Sequence, residues 1–220
     1  MGAACACPAV AAAQHRDWRG GASLHLDARY GHVDDRDGGE TREHLAAVAL
    51  ALRGMAGGRA PVLYAAGLDY QLGASVPAGF LYEVDLLPLG AGLLLTHDTF
   101  VAVRGGAGVG ETTGHLPFSF QFPAELAVEV EPHRRLRLTV WVRPSWVTHS
   151  ARRDGSSLLG WADELTTGLA LRLGRRYYQH DNRMSAGSGY YVAGLYDEKL
   201  GGRALGVAFG HALHVGGGKR

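Results

Sequence analysis

The sequence predicts an all-β protein, an antiparallel up-and-down barrel of about ten strands. From residue 20 onward, apolar and polar residues alternate with a period of two, as in strands that present one face to each side of a sheet. The 220 residues include 33 glycines, and long helix-forming polar stretches are scarce, which favours many strands and turns. No run reaches the roughly 18 apolar residues that a spanning helix needs, so a helical membrane protein is excluded.

Five segments show the alternation most clearly. In one of them Arg135, Arg137 and Arg143 alternate with leucines and valines. The other four segments cover residues 23–30, 68–72, 80–86 and 125–131. With the turn-forming residues between them, these patterns predict strands near residues 20–32, 43–54, 60–73, 79–95, 98–105, 118–131, 135–148, 163–176, 188–198 and 203–215.

Two of these segments allow a second interpretation. Residues 41–54 are rich in Ala and Leu, and the apolar positions also fit one face of a helix. Residues 80–95 are long for one strand, and Pro88 could bend or divide them. Eight strands plus a short helix is therefore the alternative fold.

The run GGAGVGET at residues 105–112 differs by one residue from a phosphate-binding loop. Glu111 stands where such a loop needs a Lys to meet the terminal phosphate oxygens. Residues 115–123 then hold two prolines and three phenylalanines, so no helix begins there to receive an anion. We therefore expect no nucleotide, and we interpret the run as an exposed, Gly-rich loop between two strands.

The chain divides into a barrel at residues 20–215 and two short terminal segments. Residues 1–19 form a signal-like or disordered segment, because MGAACACPAVAAA resembles the end of a secretory signal peptide without its basic start. Cys5 and Cys7 are the only cysteines and both lie there. Residues 216–220 are expected to form a flexible tail.

The composition argues against several classes of partner. The 22 basic and 21 acidic residues give a formal charge of only +1, so no basic patch for nucleic acid is expected. His211 and His214 fall on opposite faces of a strand and cannot hold one metal ion. The acidic residues at 34–40 lack the spacing of a known calcium loop. We expect no cofactor and no metal site.

The polar faces of the strands carry Arg, Glu, Asp, Gln and Thr mixed with small residues, rather than the scattered Lys and Glu of a water-facing surface. Residues 204–213 alternate Ala and Gly with large apolar residues, and Tyr or Trp recur near the predicted strand ends. Those aromatic residues are Tyr30, Tyr64, Trp146, Trp161, Tyr177, Tyr190 and Tyr196. Polar faces directed inward and apolar faces directed outward are typical of a transmembrane barrel with aromatic girdles.

Over residues 20–215 this pattern resembles the bacterial outer-membrane β-barrel proteins. The resemblance implies a porin-like cell-envelope protein in the outer membrane, acting as a structural, adhesive or small-solute component. Its partners would be membrane lipid and, as further candidates, other envelope proteins. Such barrels often end on an aromatic residue, whereas the last aromatic here is Phe209, so a soluble β-barrel or sandwich that binds a ligand or partner stays open. A rim-site enzyme, a protease or lipid hydrolase, is the other alternative, with Asp34, Asp35 and His149 as candidate rim residues.

Charges that face a narrow lumen are expected to pair, because an unpaired buried charge is costly. The predicted structural network comprises Glu129, Glu131, Arg135, Arg137 and Arg143. A three-residue turn at 132–134 would place Glu131 opposite Arg135 and Glu129 opposite Arg137, with Val130 near Leu136 on the outside. The lumen would then be mostly filled by side chains, and little or no ion conductance is expected.

Overall fold

A computed structural model describes residues 18–35, 43–56, 62–76, 79–96, 99–112, 116–133, 135–149, 164–174, 185–199 and 202–218. These residues form ten strands, which confirms the predicted number. The strands are β1 (Trp18–Asp35), β2 (Glu43–Ala56), β3 (Val62–Val76), β4 (Gly79–Leu94), β5 (Thr99–Thr112), β6 (Leu116–His133), β7 (Leu136–His149), β8 (Glu164–Gly174), β9 (Ser185–Lys199) and β10 (Gly202–Gly218). Among the residues described, no helix is long and apolar enough to cross a membrane.

The strands form a closed barrel with up-and-down topology, as predicted. Each strand pairs antiparallel with its neighbours in sequence, and β1 pairs with β10 to close the ring. This closing ladder runs from Trp18 opposite Gly218 to Asp35 opposite Gly202. The start of β1 and the end of β10 therefore lie at the same end of the barrel, which we call the terminal end.

The Ala- and Leu-rich segment is a strand, and the alternative with eight strands and a helix is wrong. Within β2, Ala47 and Ala49 are buried while Val48 between them is exposed. This period of two belongs to a strand whose small residues face the barrel interior. Helical periodicity in the sequence arose because alanine and leucine occupy both faces.

Pro88 does not divide β4, which runs unbroken from Gly79 to Leu94. Its pairing with β5 is irregular between Leu86 and Leu89, since proline has no amide hydrogen to donate to the ladder. The hydroxyl of Tyr64 on β3 donates a hydrogen bond to the Pro88 carbonyl, which satisfies this acceptor from the side.

The run GGAGVGET lies within β5, so the predicted exposed loop is wrong. A Cβ added at Gly106 would overlap the carbonyl group of Leu86, and one at Gly108 would overlap the carboxylate of Asp85. These glycines make room for the neighbouring strand and for a buried side chain. Close packing, and not chain mobility, therefore requires glycine at these positions.

The outer surface of the barrel is apolar and the interior holds the charges. Buried polar side chains include Asp85, Arg104, Gln121, Glu125 and Arg137. A soluble barrel or sandwich would bury its apolar face instead, so that alternative is contradicted by the described strands. Each strand exposes at least one large apolar residue, for example Leu26, Val48, Tyr70, Leu86, Val103, Leu126, Val140, Leu169, Val192 and Phe209.

Two apolar clusters pack inside the barrel beside these charges. One lies near the terminal end and consists of Met55, Leu63, Ala65, Leu94, Phe100 and Ala102. The other lies along β9 and β10 and consists of Tyr191, Ala193, Leu195, Ala208 and Ala212, with Trp141 and Ala170 against it. In β10, Ala208 and Ala212 are buried while Phe209 is exposed, which confirms the predicted faces of that strand.

The barrel is slightly longer than the predicted range 20–215. β1 begins at Trp18, and β10 continues to Gly218. Gly216 pairs with Gly21 of β1, so the start of the predicted C-terminal tail belongs to the sheet. The predicted N-terminal segment up to residue 17, and its two cysteines, lie outside the described residues.

Candidate functional site

Six charged side chains meet in the barrel interior, one from each of six consecutive strands. Three are arginines and three are carboxylates, so their formal charges cancel. We call this group the interior charge cluster. Its members are Arg53 (β2), Asp69 (β3), Asp85 (β4), Arg104 (β5), Glu125 (β6) and Arg143 (β7).

Glu125 is the acceptor that joins the three arginines. Its Oε1 accepts a hydrogen bond from Arg104 Nη1 at 2.7 Å. Its Oε2 accepts one from Arg53 Nη2 at 3.0 Å and another from Arg143 Nε at 3.2 Å. Arg104 lies directly opposite Glu125 in the β5–β6 ladder, whereas Arg53 and Arg143 approach from other strands. The carboxylate of Glu125 therefore balances positive charge from three strands at once.

Asp69 forms a bidentate pair with Arg53. Arg53 Nη1 donates to Asp69 Oδ1 at 2.7 Å, and Arg53 Nη2 donates to Asp69 Oδ2 at 2.9 Å. Arg53 Nη1 also lies 3.4 Å from the carbonyl oxygen of Leu68. The planar guanidinium matches two carboxylate oxygens in this geometry, so the pair is held in one orientation.

Arg143 relieves a repulsion between two carboxylates. Asp69 and Asp85 lie directly opposite each other in the β3–β4 ladder, and like charges in that position destabilise a sheet. Arg143 Nη1 donates to Asp85 Oδ2 at 3.5 Å, and Arg143 Nη2 contacts Asp69 Oδ2. One guanidinium from β7 thus neutralises both carboxylates.

The innermost members of the cluster are almost completely removed from solvent. Arg104 and Glu125 are each 2 % exposed, and Asp85 is 1 % exposed. Within the described part of the chain, Arg104 Nε and Nη2 have no hydrogen-bond acceptor. The ion pair with Glu125 is therefore the main compensation that the structure provides for burying the Arg104 charge.

Glu129 and Arg137, two residues of the predicted network, form a separate ion pair on the inner face. Arg137 Nη1 lies 2.9 Å from Glu129 Oε2. The predicted register is nevertheless wrong, because Glu129 lies opposite Thr139 and Val130 lies opposite Leu138. Arg137 is the diagonal neighbour of Glu129, still within reach of a long side chain.

The turn between β6 and β7 explains this difference. β6 ends at His133 and β7 begins at Leu136, so two residues connect them instead of three. This connection alone would set Glu129 opposite an apolar residue of the outer face. A one-residue irregularity between Val130 and His133 shifts the strand pairing by one position. Glu129 therefore lies opposite Thr139, on the inner face.

The remaining predicted network residues have different positions. Arg143 belongs to the interior charge cluster. Arg135 lies in the turn before β7 with an exposed side chain, so its predicted place inside the lumen is wrong. Glu131 is in β6, but its side chain is outside the described part of the structure.

Five members of the interior charge cluster were not in the predicted network: Arg53, Asp69, Asp85, Arg104 and Glu125. Two of them, Arg53 and Arg104, are arginines. Each is a single arginine in an otherwise apolar or small-residue stretch, and each is followed by glycine. A lone arginine within a barrel strand is a usable signal, since such a charge must face the interior and find a partner. The identity of the partner depends on the closed ring, which the sequence pattern does not contain.

A cavity of about 140 Å³ borders the interior charge cluster. Arg137, Glu129, Thr139 and Trp141 also line it, and Ala170, Tyr191, Ala193 and Leu195 form the opposite wall. Pockets for drug-sized small molecules have volumes of roughly 300–1,000 Å³, so this cavity suits water or very small solutes. Trp141 stands against Gly168 on β8, where a Cβ would overlap its ring.

The candidate rim residues do not form one cluster along the barrel wall. Asp34 and Asp35 end β1 and His149 ends β7, all at the barrel end away from the termini. β1 and β7 are four strand steps apart through β10, β9 and β8, or roughly 19 Å along the sheet. Among the described residues, no group of three or more His, Cys, Asp or Glu could hold a metal ion.

Replacing Glu129 with Leu is expected to lower the free energy of unfolding by about 1–3 kcal/mol, because the buried Arg137 would lose its carboxylate partner. The Val128→Leu variant next to it is the control, since Val128 faces outward in the same strand. Urea unfolding of both variants in the same detergent measures the difference. Equal stability of the two variants would contradict a stabilising role for the pair.

Comparisons with known proteins find similarity in structure only. No protein-family model matches the chain, and no curated protein matches its sequence. The translocator domain of the autotransporter NalP from Neisseria meningitidis aligns with 9 % identity and a TM-score of 0.46, covering 88 % of each chain.

Two other solved structures align over most of their length. The β domain of the Bordetella autotransporter BrkA has 12 % identity and a TM-score of 0.47, with 90 % of this chain and 99 % of that chain covered. The KdgM porin has 10 % identity and a TM-score of 0.37, with 83 % and 98 % covered. By their own strand pairing the described residues form a closed, ten-stranded antiparallel β-barrel.

Proposed function

We propose that this chain is an integral barrel of the bacterial outer membrane whose lumen is closed by paired charges. In this role it is a structural component of the membrane rather than an open channel. Membrane lipid is the partner of its outer surface. An adhesive role or a contact with another envelope protein stays a prediction, because it would depend on connections between strands that lie outside the described residues.

The observation that carries this proposal is the polarity of the barrel wall. Large apolar side chains are exposed on all ten strands, while the described arginines and carboxylates of the middle of the strands face inward. In water such a surface would be a large exposed apolar patch, which is a liability for a soluble protein. Against lipid, the same surface is favourable, and strands of 11 to 18 residues are at least as long as the roughly 9–11 residues that a tilted spanning strand needs.

Polar contacts on the outer face lie towards the strand ends. At the end away from the termini, Tyr30 Oη lies 2.6 Å from His44 Nδ1, and Tyr82 Oη donates to Glu111 at 3.2 Å. Tyr64 lies near the terminal end. These amphipathic rings suit the two interfaces of a membrane. Trp161 and Tyr177 of the predicted girdles are outside the described residues.

The interior supports a closed rather than an open barrel. The interior charge cluster, the Glu129–Arg137 pair and two apolar clusters all project into the lumen. The cavity among them measures about 140 Å³, far less than a continuous aqueous channel would occupy. No metal group or catalytic arrangement among the described residues favours the rim-site enzyme.

Flotation with lipid vesicles tests the membrane location. We expect the refolded chain to float with phosphatidylcholine vesicles in a density gradient, to stay with them after a urea wash, and to aggregate when detergent is removed without lipid. The physical reason is the apolar outer face, which needs lipid or detergent as a solvent. A monomer in detergent-free buffer that keeps its β-sheet circular dichroism would refute the proposal.

A further inference from the structure

Two ion pairs of the interior charge cluster join strands four steps apart across the lumen, and a third, Arg143–Asp85, joins strands three steps apart. Arg53 on β2 reaches Glu125 on β6, with 3.0 Å between Nη2 and Oε2, and Arg143 on β7 reaches Asp69 on β3. Each pair joins strands four steps apart in a ring of ten, where five steps would be directly opposite. We call these two pairs the crossbars. They occupy the lumen itself and do not merely line one wall.

Open space already lies beside the crossbars. The cavity of about 140 Å³ is bounded by Arg53 and Arg143 on one side. On the other side β8 and β9 contribute two alanines, Ala170 and Ala193, together with the larger side chains of Arg172, Tyr191 and Leu195. The open space therefore lies between the crossbar arginines and a wall of small and large side chains.

The crossbars consist of side chains only, while the wall is held by backbone pairing between neighbouring strands. Arg53 lies opposite Gly67, and Asp69 lies opposite Ala51, in an uninterrupted β2–β3 ladder. Removing one arginine together with one carboxylate would leave two charges of each sign in the cluster. Replacing a complete buried pair is often neutral for stability, whereas removing one partner is not.

We propose that the crossbars are a releasable closure of a passage for small inorganic ions such as K⁺ and Cl⁻. The inference rests on the proposed membrane location and adds a gated pathway to it. When the guanidinium groups leave their partners on the far wall, the cavity extends along the lumen between the two apolar clusters, which lie on β2–β5 and on β9–β10. A neutral cluster places no net charge in the path, so ions of both signs pass.

Conductance of planar lipid bilayers tests this closure. The unmodified chain is expected to carry little or no current. The double variant Arg53→Ser with Asp69→Ser removes one crossbar and the far end of the other while it keeps the charges balanced. Its steady current is expected to rise by about tenfold or more, because side chains are what fill a barrel of this size.

The matched control removes one arginine and one carboxylate from the Glu129–Arg137 pair. This pair borders the same cavity, but it joins the neighbouring strands β6 and β7 and does not cross the lumen. The Glu129→Ser, Arg137→Ser variant should therefore stay as closed as the unmodified chain. A crossbar variant that stays closed would overturn the inference, and so would equal currents from both double variants.

A second variant covers the case in which the first does not fold. Arg53→Gln with Asp69→Asn removes both charges while it keeps the shape of residue 69 and a shorter polar side chain at residue 53, and it should show brief openings absent from the unmodified chain. Failure of both variants to fold would also overturn the inference, because the crossbars would then be required for folding of the barrel wall. Flotation with vesicles distinguishes failure of this inference from failure of the membrane location. A variant that floats with the vesicles but carries no current contradicts the releasable closure and leaves the membrane location intact.

Discussion

Replacing Glu125 with Gln is expected to lower the free energy of unfolding by about 3–5 kcal/mol, the usual cost of removing one partner from a buried ion pair. Glu125 is 2 % exposed and accepts hydrogen bonds from Arg53, Arg104 and Arg143. Gln has nearly the same shape, so the loss is electrostatic rather than steric. Three arginines would then face two carboxylates, and Arg104 would keep only a neutral acceptor.

The same substitution at Glu111 is the control. Glu111 accepts a hydrogen bond from Tyr82 near the strand end on the outer face, and it is partly exposed. Neutralising it should change stability by less than about 1 kcal/mol. Urea unfolding in detergent, followed by tryptophan fluorescence, measures both variants. If Glu125→Gln were as stable as Glu111→Gln, the interior charge cluster would contribute little to holding the barrel closed.

The strands and their faces could be predicted because both depend on local sequence. A period of two in β7 places Arg137 and Arg143 inside and Leu138 and Val140 outside, and the structure agrees. The same rule assigns β10, where alanines face inward and Phe209 faces outward. The scarcity of lysine on the polar faces of the strands indicates that these faces form the barrel interior and not a water-exposed surface.

The contacts across the lumen could not be predicted, because they depend on ring closure and on local register. Arg53 and Glu125 are 72 residues apart in sequence, and no periodic pattern connects them. The register between β6 and β7 could not be predicted either, because a bulge near His133 shifts the strand pairing by one residue. The packing role of the β5 glycines could not be predicted for the same reason, because the neighbouring residue Asp85 comes from another strand.

The strongest test of the outer surface is a charge placed at its centre. Val192 is 48 % exposed, is the middle residue of β9, and lies between Leu171 of β8 and Phe209 of β10 in the apolar band of the wall. In a bilayer, an arginine near the midplane costs about 2–4 kcal/mol, and this cost falls to about 0–1 kcal/mol near the interface. The Val192→Arg variant is therefore expected to be less stable by about 2–4 kcal/mol in phosphatidylcholine vesicles.

Leu205→Arg is the matched control, because Leu205 is also an exposed apolar residue but lies near the strand end away from the termini. Its stability should fall by at most about 1 kcal/mol, since an arginine there reaches the headgroups. Guanidinium unfolding of both variants in the same vesicles gives the difference. On a water-facing surface neither substitution would change stability by more than about 0.5 kcal/mol. Equal and small effects at the two positions would therefore mean that Val192 faces water, and the barrel would not span a membrane.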